Sequence, residues 1–556
     1  MKKTFILINL FLITFILPAQ KKGLENNKVL YVGEAYETKP ILINFYKSFL
    51  FEEDNMIFDL FLSNKKIYLR KYNLSTLNLE ESANFELFSK EVSLEKILKI
   101  KDRIFIFYSL REGEYNNYKE SLYYREIDPK TCSFKDNGEL LFKTDFEVTS
   151  IYESGYSSYN NFEIKLSVDS ELLAVSYKID KLKKESAIYC YKVFDTGFNL
   201  KWEKDITMPY EVEYLQGIDF AINKQGDIFS AFYVYGNKNK YFTNSKLQKD
   251  FDIEIYKIEA SSDKPYKYKI NIDSNYVANS VKFVQTEEGV KSVGLSSFVA
   301  YNNRFFGPSG IFIFNPQDST SEIKNHVISD SIIFLNEKAS TIANHEAIKR
   351  RYGEGKYKPY VSDLGIESIK ILEDGSLLLV AEQSRTVNRS AVVPTGLLVP
   401  SLIYIHNFNM MFESAYFTKI NKDGSVAWTN KLVKKQETDM QVTVDGYNKL
   451  GKDMVIIEDE SKINIIYNDH LKNLSLNNSK PPKRLKNRRN GVLLKYSINK
   501  ISGNSTKEFF SKANRIKDVK VNQFNTSCFV AYYDDSAIFE ITKNYNGHLV
   551  KFNLNK

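Results

Sequence analysis

Tryptophan, cysteine and histidine are all scarce in this 556-residue chain, with two, three and five copies. Cys132, Cys190 and Cys528 allow at most one internal disulfide, which excludes a disulfide-stapled scaffold. No Cys-x-x-Cys spacing occurs, so a zinc ribbon and a thioredoxin-like redox pair are excluded too. Cys190 and Cys528 sit in apolar, aromatic runs, where a free thiol behaves as a small core residue. The histidines, His326, His345, His406, His470 and His548, are too far apart in sequence for a local zinc pair. His345-Glu346 begins like a zinc-protease helix, but Lys349 stands where the second histidine belongs. Neither a Gly-x-Ser-x-Gly elbow, a phosphate loop, a dinucleotide glycine pattern nor EF-hand spacing is present. Accordingly, no catalytic, cofactor-binding or metal-binding residue is assigned.

The N-terminus carries an address. Lys2 and Lys3 precede an almost wholly apolar run from Phe5 to Leu17, followed by Pro18, Ala19 and a polar sequence. This order predicts a secretory signal peptide over residues 1–20, hence export to the periplasm, the cell surface or the exterior. The run is shorter than the roughly 20 residues of a spanning helix, and no later stretch reaches that length, so no transmembrane segment is expected in the mature chain.

What is abundant points to strands. Apolar residues make up 43% of the chain and aromatic residues 14%, with Tyr 37 and Phe 39, enough to fill large cores. The formal charge of +8 falls to +6 when Lys2 and Lys3 leave with the leader. Over so long a chain that bias is too mild for nucleic-acid binding.

One form recurs along the body: an apolar strand, a polar turn and a second apolar strand. Phe220 to Tyr233 turns at Gly226, and Ile369 to Ala381 turns at Asp374-Gly375. Weaker copies run Ile97–Tyr108, Ile164–Tyr177, Val281–Phe298, Met454–Tyr467 and Val519–Tyr533. The run Leu377-Leu-Leu-Val-Ala381 is continuous rather than alternating, as for a strand covered on both faces. A second form alternates with the first and carries an Asp/Gly turn and then tryptophan. In one copy Asp195 precedes Trp202; in the other Asp423-Gly424 precedes Trp428. The two tryptophans of the chain thus occupy matching places. Four strands per repeat, arrayed in series, predict an all-β fold: a single β-propeller domain over residues 21–556, of seven or eight four-stranded antiparallel blades. The segment from Ala537 to Leu554 is expected to close the ring against the N-terminal region.

The turn followed by tryptophan resembles degenerate repeats of the pyrroloquinoline-quinone-type propeller superfamily, and the chain resembles exported bacterial propeller proteins built of such units. In that superfamily the tryptophan docks neighbouring blades together. The resemblance implies packing, not chemistry, for Asp195, Trp202, Asp423, Gly424 and Trp428.

Three insertions interrupt the repeat, at residues 339–361, 384–412 and 474–490. The first contains a short helix and then Arg350, Arg351, Tyr352, Tyr357 and Tyr360, which are the candidate ligand-contacting residues because Arg and Tyr suit binding hot spots. The second is apolar at its centre, Val392 to Pro400, and the third is basic, Lys483 to Arg489. Glu458-Asp459-Glu460 and Asp534-Asp535 are read as hairpin turns. Long insertions on a rigid scaffold are where binding surfaces usually form. The expected role is therefore an exported, non-catalytic scaffold binding a protein or glycan partner. The alternatives are a pore-centred enzyme, glycoside-active or a quinone-dependent dehydrogenase, and a structural subunit of a cell-surface complex.

Overall fold

The computed structural model describes residues 29–554 apart from internal stretches, of which 38–48, 153–160 and 237–250 are the longest; the expected leader lies outside the described residues. The strands form eight antiparallel sheets of four or five strands, taken in chain order. We number them as blades: blade 1, residues 49–86; blade 2, 92–143; blade 3, 148–211; blade 4, 215–269; blade 5, 276–327; blade 6, 364–432; blade 7, 454–512; and blade 8, 523–553 with 29–37.

Hydrophobic packing joins each blade to the next. Leu69 of blade 1 packs with Ile97 of blade 2, and Tyr189 of blade 3 with Phe220 and Phe232 of blade 4. Leu378 and Phe417 of blade 6 meet Ile465 and Leu494 of blade 7. Ile538 and Leu549 of blade 8 meet Ile57 and Tyr72 of blade 1. This last joint closes a ring. Val29–Val32 pairs antiparallel with Asn546–Asn553, Val32 opposite Val550, so the N-terminus supplies the outer strand of the final blade. Closure buries the outward faces of the first and last blades against each other. The expected hairpin over Val519–Tyr533 is corrected here. Gln523–Tyr533 is instead the first strand of blade 8, and Ser536–Lys543 and Asn546–Asn553 are its second and third. The borrowed outer strand shifts the register by one strand.

Among the described residues, three inner-edge strands, Glu163–Leu166, Tyr276–Thr286 and Leu364–Ile371, are tied to the next blade by a lysine. Lys165 donates to the Phe220 carbonyl at 2.6 Å, Lys282 to Glu367 at 3.0 Å and Lys370 to Ile456 at 2.9 Å. Second strands are covered on both sides: Leu377 to Ala381 are all at most 3% exposed, as their continuous apolar run predicts. Each of the four Leu and Val side chains contributes about 1.5–3 kcal/mol of burial.

Strand polarity sorts the connections. In an antiparallel meander, first-to-second and third-to-fourth turns lie on one face of the ring; second-to-third loops and blade-to-blade crossings lie on the other. The first face carries tight turns held by Asx hydrogen bonds. Asp195 Oδ1 accepts from the N–H groups of Gly197 and Asn199 at 3.0 and 2.9 Å, and Asp423 Oδ1 accepts from the Ser425 N–H at 2.9 Å. Gly424 takes φ +82° in its turn. Trp202 and Trp428 both follow a β-bulge on a fourth strand, opposite Val193 and Lys419. Both reach the next blade. Trp202 lies against the Gly226 turn of blade 4, and the Trp428 indole N–H donates to the Lys500 carbonyl of blade 7 at 3.1 Å. Cys132 and Cys190 are free and buried. Glu458 ends a strand and pairs with Lys500 at 2.7 Å beside the Asp459 turn; Asp534-Asp535 lies outside the described residues.

Candidate binding site on the insertion face

All three insertions emerge on the face opposite those tight turns. Residues 328–363 cross from blade 5 to blade 6, and residues 396–400 and 471–490 join second to third strands of blades 6 and 7.

The crossing folds into two helices, α1 (Asp330–Ile333) and α2 (Ala339–Tyr352). The side chain of Lys431, on the outer strand of blade 6, fastens them down. It is fully buried and donates to the carbonyls of Ile333 and Leu335 at 2.8 and 3.0 Å and to Glu337 at 3.0 Å. Burial pulls its pKa below that of a free lysine, and Glu337 opposes the shift. His345, on the inner face of α2, is 6% exposed and shares a hydrogen bond with the Tyr357 hydroxyl. Its ring lies 4.8 Å from that of Tyr360 and 5.2 Å from that of Phe334. Burial lowers the His345 pKa and raises that of Tyr357, so both stay neutral near pH 7.

Between α2 and blade 6 lies a cleft of about 350 Å³, lined by Phe334, Asn344, Tyr360, Gln383, Tyr416 and their neighbours. Of the candidate ligand-contacting residues, Tyr360 lines this cleft. Tyr357 is buried behind it against His345. Tyr352 is half-buried, and Arg350 and Arg351 are exposed in the last turn of α2, where positive charge complements the helix dipole. None of these three lines the cleft. Thr341, Asn344, Glu337 and Gln383 were not singled out from sequence. The i, i+3 spacing of Thr341 and Asn344 was the available signal, while nothing local to Gln383 announces that it lies beneath a helix 40 residues earlier.

The second insertion is a β-hairpin arm. Leu377–Thr395 and Ser401–Ile420 pair in continuous register beyond Ser384↔Phe412 as far as Thr395↔Ser401. At roughly 3.3 Å per residue this arm extends about 40 Å past the blade. Its tip, residues 396–400, and the side chains of 388–409 lie outside the described residues.

The third insertion is anchored at its base. Asn473 donates to the Lys483 carbonyl and accepts from the Lys483 N–H, both at 2.8 Å. Asp469 orients that asparagine by accepting from its side-chain amide at 2.8 Å. Asp469 is 0% exposed, and burial pushes its carboxyl up to about 7. Leu485 bonds the backbone of Lys435 and Glu437 at 2.9 and 3.0 Å, and Arg484 pairs with Glu437 at 3.1 Å. Asn336 donates to the Lys480 carbonyl at 2.9 Å, joining this insertion to the helical one. Lys472, Lys480 and Lys483 are exposed; residues 486–490 lie outside the described residues. Beneath the two insertions, Lys434 and Glu382 form an ion pair with both side chains at most 1% exposed.

No protein-family model matches the chain, and no curated protein matches it. Among solved structures, the Dos1 propeller is 14% identical over 48% of this chain and 63% of its own, with a TM-score of 0.28. The polysaccharide lyase Uly1 is 9% identical over 95% of this chain and 98% of its own, with a TM-score of 0.39. Dipeptidyl peptidase 4 of Porphyromonas gingivalis is 8% identical over 92% and 58%, also with a TM-score of 0.39. The chain spans less than two thirds of the Dos1 and peptidase chains. At these scores the similarities carry no functional argument, and the propeller assignment rests on the eight sheets and their joints.

Proposed function

We propose that this chain is an exported, non-catalytic propeller that binds a protein or glycan partner through its insertion face. The observation that carries the reading is the segregation of connections: tight Asx turns on one face, and the helical crossing, the hairpin arm and the basic loop together on the other. Within the cleft the one carboxylate, Glu337, is already paired with Lys431, so the cleft walls supply no two-carboxylate acid–base pair. The two fourth-strand tryptophans favour kinship with quinone-type repeats as a packing relationship.

The test is capture of partners by crosslinking, together with a glycan array, using the mature chain and a variant in which residues 389–407 of the arm are replaced by Asn-Gly. The variant keeps the pairing of Asn409–Phe412 with Gln436–Asp439, so its circular-dichroism spectrum and melting temperature should match those of the parent. Binding should weaken or vanish. Absence of any partner or glycan for the intact chain would overturn the reading.

A further inference from the structure

We infer that the cleft between α2 and blade 6 is a binding site for a neutral sugar, of monosaccharide or disaccharide size. This rests on the insertion face being the binding surface and adds the ligand class.

Size comes first. About 350 Å³ lies at the small end of the roughly 300–1,000 Å³ typical of ligand sites. Charge comes second. Glu337, the carboxylate on the wall, is neutralised by the buried ammonium of Lys431, whose remaining donors are taken by two carbonyls. An acidic or basic ligand therefore meets no uncompensated counter-charge, and burying its own charge would be costly. Hydrogen-bonding capacity comes third. Among the described residues, the side chains of Ser340, Thr341, Asn344 and Ser362 line the cleft without a protein partner. Gln383 spends its amide N–H on the Ser362 carbonyl at 3.1 Å, which fixes its orientation. Hydroxyl and amide groups donate and accept together, which matches the vicinal hydroxyls of a sugar. Finally, Tyr360 is held in place by the His345 ring and supplies an aromatic surface for the apolar C–H face of a pyranose.

The mature chain should be titrated by calorimetry with glucose, galactose, mannose, N-acetylglucosamine and their disaccharides, and in parallel with glucuronic acid and glucosamine. Binding of at least one neutral sugar is expected, with the acid and the amine bound more weakly. Thr341→Val with Asn344→Ala should weaken that binding roughly tenfold or more, since each lost hydrogen bond contributes about 1 kcal/mol. Asn344 is exposed on α2, so the double variant should fold, and an unchanged melting temperature checks this. Tyr360→Leu is the independent second variant and should also weaken binding. Neutral-sugar binding that survives both variants unchanged would overturn the cleft assignment while leaving the face a glycan surface. Binding of the acidic sugar alone would overturn the ligand class. Capture of a protein partner with no sugar bound would overturn the inference and leave the proposed function standing.

Discussion

Gly226 and Gly503 both take positive φ but face different neighbours, and that contrast tests how the tryptophans dock the blades. Their φ angles are +88° and +70°, in the left-handed region. An alanine in either place suffers about 1–2 kcal/mol of backbone strain. At Gly226 a new Cβ would meet Leu172 and Trp202 at 3.4 and 3.6 Å, ordinary contact distances. At Gly503 it would lie 2.6 Å from Trp428 Cγ and 3.1 Å from Cδ1, so the indole must move. The ring is held by its bond to the Lys500 carbonyl and by packing against the blade 6–7 core. Overpacking of this kind costs about 1–3 kcal/mol more. Gly503→Ala should therefore destabilise by about 2–5 kcal/mol, and Gly226→Ala by about 1–2. Urea titrations followed by near-ultraviolet circular dichroism would measure both. In a Trp428→Ala background the clashes with Cγ and Cδ1 disappear, while the strain and the close approach to Cβ of residue 428, 2.9 Å away, remain. A coupling of about 1–2 kcal/mol is expected in the double-mutant cycle. Equal costs at the two glycines, or strict additivity with Trp428→Ala, would refute the picture of a tryptophan wedged on the turn of the next blade.

Asp469 should make stability fall as pH rises. Its carboxyl titrates near 7 in the folded chain against 3.8 as the ordinary value. The unfolded state therefore loses this proton first, and the native state is penalised progressively from about pH 4 to pH 7 and fully above that. Asp469→Asn should match the parent near pH 4 and exceed it above pH 7, by at most about 4 kcal/mol; urea melts at several pH values would show an advantage growing with pH, and a pH-independent difference would contradict the assignment. Lys434→Met should cost about 3–5 kcal/mol because it removes the buried counter-charge of the Glu382 carboxylate. Adding Glu382→Leu should recover most of that loss, which thermal melts of the single and double variants would establish.

The local grammar of the fold was legible in the sequence. Apolar runs broken by Asp/Gly turns announced hairpins such as Phe220 to Tyr233, because turn geometry and strand burial are decided by neighbours two to five residues away. Matched tryptophan spacing announced serial repetition for the same reason. The hairpin expected over Val519–Tyr533 is instead a single strand, Gln523–Tyr533, whereas the expected closure of Ala537–Leu554 against the N-terminal region is found, with Val29–Val32, some 500 residues distant, as the fourth strand of blade 8. The cleft was less legible still. Tyr360 was among the candidates, but its partners are His345 on α2, Gln383 on blade 6 and a helix clamped by Lys431. Sequence spacing does not encode that a helix will fold back over a strand end.

The sequence alone determined that the chain is built of four-stranded antiparallel units, where their tight turns fall, and where three segments depart from the repeat. Those features follow from backbone propensity and short-range alternation. Tertiary structure decided that there are eight blades, which N-terminal residues complete the last one, and that all three departures share a face. The reason is strand polarity: in a closed meander each connection is assigned to a face by its position between strands, and only the paired register reveals that position.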